Sequence, residues 1–117
     1  LYWDRHGIET VSLRIGSSFT EPKDRRMLAT WMSYDDTERL VVAALTAPIV
    51  GHTVIYGMSD NRTTWWDNRS ASHIGYRPQD SSEAFRAAVE ARQQVIDGTD
   101  PVAIHQGGAF VRQGHYD

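Results

Sequence analysis

The sequence of this chain predicts two β-strands, and this small number constrains the fold more than any other feature. Residues 8–15 alternate apolar and polar side chains and are rich in β-branched types, whereas residues 53–57 form a short apolar run. A helix is predicted between them, so the two strands are expected to lie parallel in one sheet. Parallel strands need neighbours on both edges and helices over both faces. The sequence therefore predicts an α/β fold that is incomplete without further strands.

Two helices are predicted around the first strand. A helical turn over residues 1–6 closes at Gly7, because glycine readily adopts the left-handed conformation. Ser33 stands three residues before Asp36, which is typical of a capping box and predicts a helix that ends before Pro48. One face of that helix is apolar and consists of Leu40, Val41, Ala44 and Leu45.

The second half of the chain contains two more predicted helices and a tail. Asp67 is positioned to cap a short helix that ends at Gly75. Asp80 and Glu83 form a second capping-box pattern, in front of an amphipathic helix that runs to about Gln94. The remaining tail is rich in glycine and is expected to lie over its own subunit or a neighbouring one.

Composition narrows the class of protein. The chain has 117 residues, a formal net charge of −3 and no cysteine. A chain of this length forms at most one domain. Its negative net charge argues against nucleic acid as a partner. The lack of cysteine excludes disulfides and thiolate metal sites. No apolar run approaches the ~20 residues of a membrane span, and no secretory signal is recognisable, so a cytoplasmic protein is expected. The first residue is Leu1, which suggests the cut end of a longer protein.

The candidate binding residues lie in a long polar segment, residues 16–29, that directly follows the first strand. Ser17 and Ser18 stand at the strand end, and the paired arginines Arg25 and Arg26 follow within the segment. Hydroxyl groups match the oxygens of a sugar or nucleotide, and a guanidinium matches a carboxylate or phosphate through two parallel hydrogen bonds. The segment is interpreted as half of a binding site.

Other motifs are interpreted as structural. Trp65 and Trp66 are assigned to packing, in preference to a platform on which a sugar stacks. No two histidines have the i, i+4 spacing of a helical zinc site, so no metal is expected. The histidines are His6, His52, His73, His105 and His115.

Six short motifs occur along the chain in a characteristic order: VSLRIGS (11–17), RMLATW (26–31), SYDD (33–36), WWDN (65–68), GYRPQD (75–80) and QGGAFV (106–111). Together they resemble the C-terminal part of the bacterial uronate dehydrogenases. That group lies in the NAD-dependent epimerase/dehydratase family of the short-chain dehydrogenase/reductase superfamily. The resemblance implies that residues 1–117 form the substrate-binding segment of a single Rossmann-type domain, whose N-terminal NAD-binding part is absent from this chain.

The resemblance also implies roles for individual residues. Ser17 matches a serine that contacts the substrate, and Arg26 matches the arginine that binds the substrate carboxylate. Ser18 stands where members of the family contact the nicotinamide side of the cofactor, NAD. Arg25 stands beside the key arginine, and the two could exchange roles. The catalytic serine and the Tyr-x-x-x-Lys pair of the family have no counterpart here, since Lys23 is the single lysine, and they are expected upstream of residue 1.

The reaction implied is the NAD-dependent oxidation of a hexuronic acid at C1, which gives an aldaric acid lactone. Two alternatives stay open: another sugar epimerase, dehydratase or reductase of the same superfamily, and a non-catalytic fragment without the Tyr-Lys pair. The sequence does not decide which uronic acid is preferred, or whether the protein is a homo-oligomer.

Overall fold

The computed structural model describes residues 1–114 of the chain, an α/β arrangement of parallel strands and helices. Its first half contains helix α1 (Tyr2–His6), strand β1 (Thr10–Ile15), strand β2 (Ser17–Ser18), helix α2 (Met27–Thr30), strand β3 (Trp31–Met32), helix α3 (Tyr34–Thr46) and strand β4 (His52–Gly57). Its second half contains a 3₁₀ helix (Arg69–Ile74), a 3₁₀ turn (Ser82–Phe85) that leads into helix α4 (Arg86–Arg92), helix α5 (Pro101–Ile104) and a final 3₁₀ helix (Gly108–Arg112).

The predicted pair of parallel strands is present. Strand β1 pairs with β4 in parallel, with Thr10 opposite His52 and Ile15 opposite Gly57. Helix α3 lies between the two strands in sequence, as in a βαβ unit. The helical turn at the N-terminus also ends as predicted, with Gly7 in the left-handed region at a φ of 65°.

The segment 16–29 is more regular than predicted. Ser17 and Ser18 form a short strand whose parallel partner is Trp31 and Met32, and helix α2 fills the end of the segment. Strands of two residues carry no alternation that a sequence pattern can reveal. The two strands are brought together partly by Gly16, because a Cβ atom there would lie 2.1 Å from the carbonyl oxygen of Thr30.

The predicted helix caps are partly correct. The Ser33 hydroxyl accepts the backbone N–H of Asp36 at 2.9 Å, as expected of an N-cap. The Asp36 carboxylate, however, accepts the backbone N–H groups of Gln79 and Asp80 at 2.9 and 3.1 Å and a hydrogen bond from Arg39 at 2.6 Å. A buried carboxylate needs several donors, and this one finds them in a distant loop rather than at its own helix end.

The second predicted capping box is wrong. Asp80 accepts hydrogen bonds from the Ser33 hydroxyl and from Arg39, at 2.5 and 3.2 Å. The cap of the following turn is Ser81. The N-cap of the 3₁₀ helix Arg69–Ile74 is Asn68 and not Asp67 as predicted, although Asp67 accepts the N–H of Arg69 at 2.9 Å. This helix ends at Gly75 as predicted.

The hydrophobic core lies between α3, β4 and the 3₁₀ helix Arg69–Ile74, and contains Met32, Leu40, Val50, Ile55, Ala71 and Ile74. The predicted apolar face of α3 is covered in part. Leu40 is buried, but Leu45 is 80% exposed, and Val41 and Ile49 are exposed beside it. Within residues 1–114 no element covers these side chains. None of the helices described is long and apolar enough to cross a bilayer.

Candidate functional site

A cavity of about 410 Å³ lies beside the carboxyl ends of the two long parallel strands. In α/β proteins this edge of the sheet is where ligands bind. Strand β1 contributes its last residues and strand β4 contributes Tyr56. The lining is completed by Gly16, Ser17, Arg26, Thr30, Trp66, Gln106, Gly107 and Phe110.

Ser17 and Arg26 line this cavity together, as the sequence predicts for two residues of one site. The Ser17 hydroxyl lies 2.9 Å from the hydroxyl of Thr30, and either group can donate. Ser17 therefore has a fixed orientation and still carries unused hydrogen-bonding capacity.

The Arg26 side chain has no carboxylate partner among residues 1–114. Its Nε is buried without a hydrogen-bond partner in that part of the chain, and its Cζ lies 5.7 Å from the centre of the Trp65 ring. An uncompensated guanidinium at a cavity wall attracts an anion, since planar guanidinium and planar carboxylate form two parallel hydrogen bonds.

Arg25 has different surroundings from Arg26. Its Nε donates to the carbonyl oxygen of Gln93 at 2.7 Å, and its Nη2 donates to the carbonyl oxygen of Glu90 at 3.0 Å. These bonds tie the loop to the end of α4. Arg26 is therefore the one of the two arginines that lines the cavity.

Ser18 is placed apart from Ser17. Its hydroxyl lies 3.3 Å from that of Thr37, in the first turns of α3, and it does not line the cavity. Successive side chains of a strand point to opposite faces, which separates the two serines. The contact between Ser18 and NAD stays a prediction. The Ser18 hydroxyl group is able to form a hydrogen bond to the cofactor.

Two stacked aromatic rings form one wall of the cavity, which the sequence pattern alone does not predict. The rings of Tyr56 and Trp66 are stacked, with centres 5.1 Å apart and planes 10° apart, and Arg14 lies over the Tyr56 ring at 5.3 Å. Trp66 thus both packs, as predicted, and borders the cavity, whereas Trp65 is 48% exposed. The parallel register that places Arg14 opposite Tyr56 is the signal that could have located this wall.

The C-terminal tail lies over its own chain, one of the two placements expected. Gln106, Gly107 and Phe110 line the cavity, and Gly108 is buried. The tail contains two short helices that the sequence pattern did not reveal, each of four or five residues. No group of three metal-binding side chains occurs within the part of the chain that the structure describes. His115 lies outside it.

Sequence relatives of this chain include proteins named uronate dehydrogenase. No protein-family model matches the chain. A uronate dehydrogenase from Pseudomonas syringae pv. tomato is 60% identical over 115 residues, which are 98% of this chain and 42% of that protein. The chain thus spans less than half the length of this relative.

Solved structures agree with the sequence comparison. The glucuronic acid dehydrogenase of Chromohalobacter salexigens superposes with a TM-score of 0.94 at 50% identity, over 98% of this chain and 43% of that one. A variant of the Agrobacterium tumefaciens uronate dehydrogenase, solved in complex with NAD, superposes with a TM-score of 0.88 at 41% identity, over 97% of this chain and 43% of its own. These neighbours have a Rossmann-type fold. The chain is therefore homologous, over nearly its whole length, to a part of the uronate dehydrogenases.

Proposed function

We propose that this chain is the substrate-binding segment of an NAD-dependent uronate dehydrogenase. The complete enzyme oxidises C1 of a cyclic hexuronic acid, glucuronate or galacturonate, to an aldaric acid lactone. The observation that carries the proposal is the cavity in which Arg26, without an anionic partner among the described residues, stands beside Ser17. The 60% identity to a uronate dehydrogenase supports the same assignment.

Arg26 binds the C6 carboxylate of the sugar acid in this proposal. A neutral sugar has a hydroxymethyl group at that position, which cannot accept two parallel hydrogen bonds from a guanidinium. A site built around a charged donor rejects a ligand that leaves the donor unpaired. Arg26 is therefore the residue that selects acids over neutral sugars.

Ser17 binds a ring or hydroxyl oxygen of the substrate. Its bond to Thr30 holds the hydroxyl in place before the sugar arrives, so less conformational freedom is lost on binding. The stacked pair Tyr56 and Trp66 forms a flat wall beside these polar groups. Together these residues orient C1 for hydride transfer, which requires near-contact distance between the reacting atoms.

The cofactor and the proton-transferring groups are supplied mainly by the rest of the subunit. NAD supplies the hydride acceptor, and Ser18 is proposed to contact its nicotinamide side. The exposed residues of α3 and the free edge of β1 are then covered by the remaining part of the Rossmann-type domain. A cytoplasmic location and a homo-oligomeric state belong to the same proposal, and light scattering of the complete enzyme tests the latter.

The test is an assay of NADH formation by the protein from the complete coding sequence. Glucuronate and galacturonate are compared with glucose, galactose and a sugar nucleotide. A kcat/KM that is much higher for the two uronic acids than for the neutral sugars and the sugar nucleotide supports the proposal. Activity with the sugar nucleotide supports an epimerase or reductase of the same superfamily instead, and inactivity with every substrate supports a non-catalytic protein.

A further inference from the structure

We propose that Gly108 is a positioning residue for Arg26: its backbone blocks the Nε edge of the guanidinium and leaves Nη1 and Nη2 for the substrate carboxylate. The inference rests on the proposed function and adds the geometry by which the acid is recognised. It concerns the C-terminal strap, defined as residues 100–114, which contributes Gln106, Gly107 and Phe110 to the lining of the cavity.

The close approach of the strap to Arg26 occurs at Gly108. A Cβ atom at this residue would lie 3.0 Å from Nε of Arg26, 3.1 Å from Cδ and 3.2 Å from Cζ. Gly108 is buried and has a φ of 57°, a conformation that residues with side chains rarely adopt. Both the positive φ and the close contact with Arg26 at this position thus depend on the residue being glycine.

The approach has a chemical consequence for Arg26. Nε is buried without a hydrogen-bond partner in the described part of the chain, whereas Nη1 and Nη2 are not among the buried unpaired atoms. A guanidinium can bind a carboxylate either side-on, through Nε and one Nη, or end-on, through both Nη atoms. With the Nε edge covered, the end-on mode is the one available.

The two ends of the strap are joined to each other. Asp100 caps α5 by accepting the N–H of Val102 at 2.8 Å and forms an ion pair with Arg112. A second cavity, of about 560 Å³, lies between the strap and residues that include Phe19 and Gln93. Gly108 and Arg26 both line this second cavity and lie against each other there, so the position of the strap and that of the guanidinium depend on each other.

The test compares three glycine-to-alanine variants of the complete enzyme. Gly108→Ala adds a methyl group against the Arg26 side chain. Gly114→Ala adds one at another residue of the strap, which does not line the cavity and where no atom lies within 4 Å of the added carbon. Gly75→Ala imposes a positive φ, 79°, where no atom lies within 4 Å of the added carbon. The two controls separate the effect on Arg26 from the general effect of an added methyl group and from the effect of backbone strain.

We expect Gly108→Ala to raise KM for glucuronate about tenfold, as when one charged hydrogen bond is weakened, while kcat changes less than about threefold. Calorimetry without NAD should show the same loss in glucuronate affinity, and the affinity for NAD should be unchanged. Both control variants should stay within about twofold of the parent enzyme.

The proposal is overturned if Gly108→Ala behaves like either control, or if it weakens glucuronate and NAD equally. A parent enzyme that is inactive with glucuronate would instead refute the proposed function. If Gly108→Ala does not fold, Arg112→Gln takes its place, because it breaks the ion pair that joins the two ends of the strap, and Arg112 does not line the cavity. A raised KM with retained kcat then supports the proposal, and an unchanged KM overturns it.

Discussion

The hydroxyl oxygens of Ser17 and Thr30 lie 2.9 Å apart. This bond joins the start of strand β2 to the end of helix α2 at the wall of the cavity. Thr30 is 1% exposed and Ser17 is half-buried, and both residues line the cavity. The pair thus fixes a hydroxyl group beside Arg26.

Replacing Ser17 by alanine in the complete enzyme should raise KM for glucuronate about three- to tenfold, which corresponds to the binding free energy of one neutral hydrogen bond. The substitution removes the contact with the substrate and leaves Thr30 without its side-chain partner. Ser12→Ala, at an exposed position of β1, is the control and should leave KM unchanged. Equal KM values for both variants would contradict a role of Ser17 in substrate binding.

Replacing the buried Asp36 by asparagine should lower the free energy of unfolding by about 2 kcal/mol, because one of the buried N–H donors loses its acceptor. Urea unfolding of the complete protein measures the change. Asp35→Asn, one residue earlier on the exposed face of α3, should cost less than about 1 kcal/mol. If both variants are equally stable, the Asp36 network does not stabilise the fold.

The contribution of Asp36 should also depend on pH. Burial alone raises the pKa of this carboxyl, but hydrogen bonds from Ser59, Arg39 and the backbone of the loop outweigh burial and hold the pKa below its ordinary value of 3.8. The stability that it contributes is therefore present above that value and is lost as the pH falls through the lower pKa of the folded state. The stability difference between the parent protein and Asp36→Asn should thus be constant near neutral pH and shrink in acid. A difference that grows on acidification would contradict this.

Ser18 offers a test of the predicted cofactor contact. Because its side chain points away from the cavity, Ser18→Ala should raise KM for NAD about two- to tenfold and leave KM for glucuronate unchanged. The matched comparison is Ser17→Ala, for which the opposite pattern is expected. A change in glucuronate KM alone would place Ser18 with the substrate instead.

Local patterns predicted the parallel strands, the end of α1 at Gly7 and the cap at Ser33, because each depends on neighbouring residues. They failed where partners are far apart in sequence. Asp36 binds the backbone of Gln79, 43 residues later, and neither residue alone predicts the other. The stacked wall of Tyr56 and Trp66 likewise depends on how loops return to the strand ends. The polar segment after the first strand made Ser17, Ser18, Arg25 and Arg26 candidates, and the resemblance to uronate dehydrogenases then assigned the substrate contacts to Ser17 and Arg26.

Arg26 provides the most direct test of the account, through the ratio of kcat/KM for glucuronate to that for glucose in the complete enzyme. Arg26→Ala should lower kcat/KM for glucuronate at least about a hundredfold, since a charged two-bond contact is lost, and should leave the value for glucose nearly unchanged. Arg25→Ala, which removes the neighbouring arginine from its bonds to Glu90 and Gln93, should reduce stability and keep the ratio of the parent enzyme. A ratio that survives in Arg26→Ala would contradict the assignment of this cavity to the carboxylate of a sugar acid.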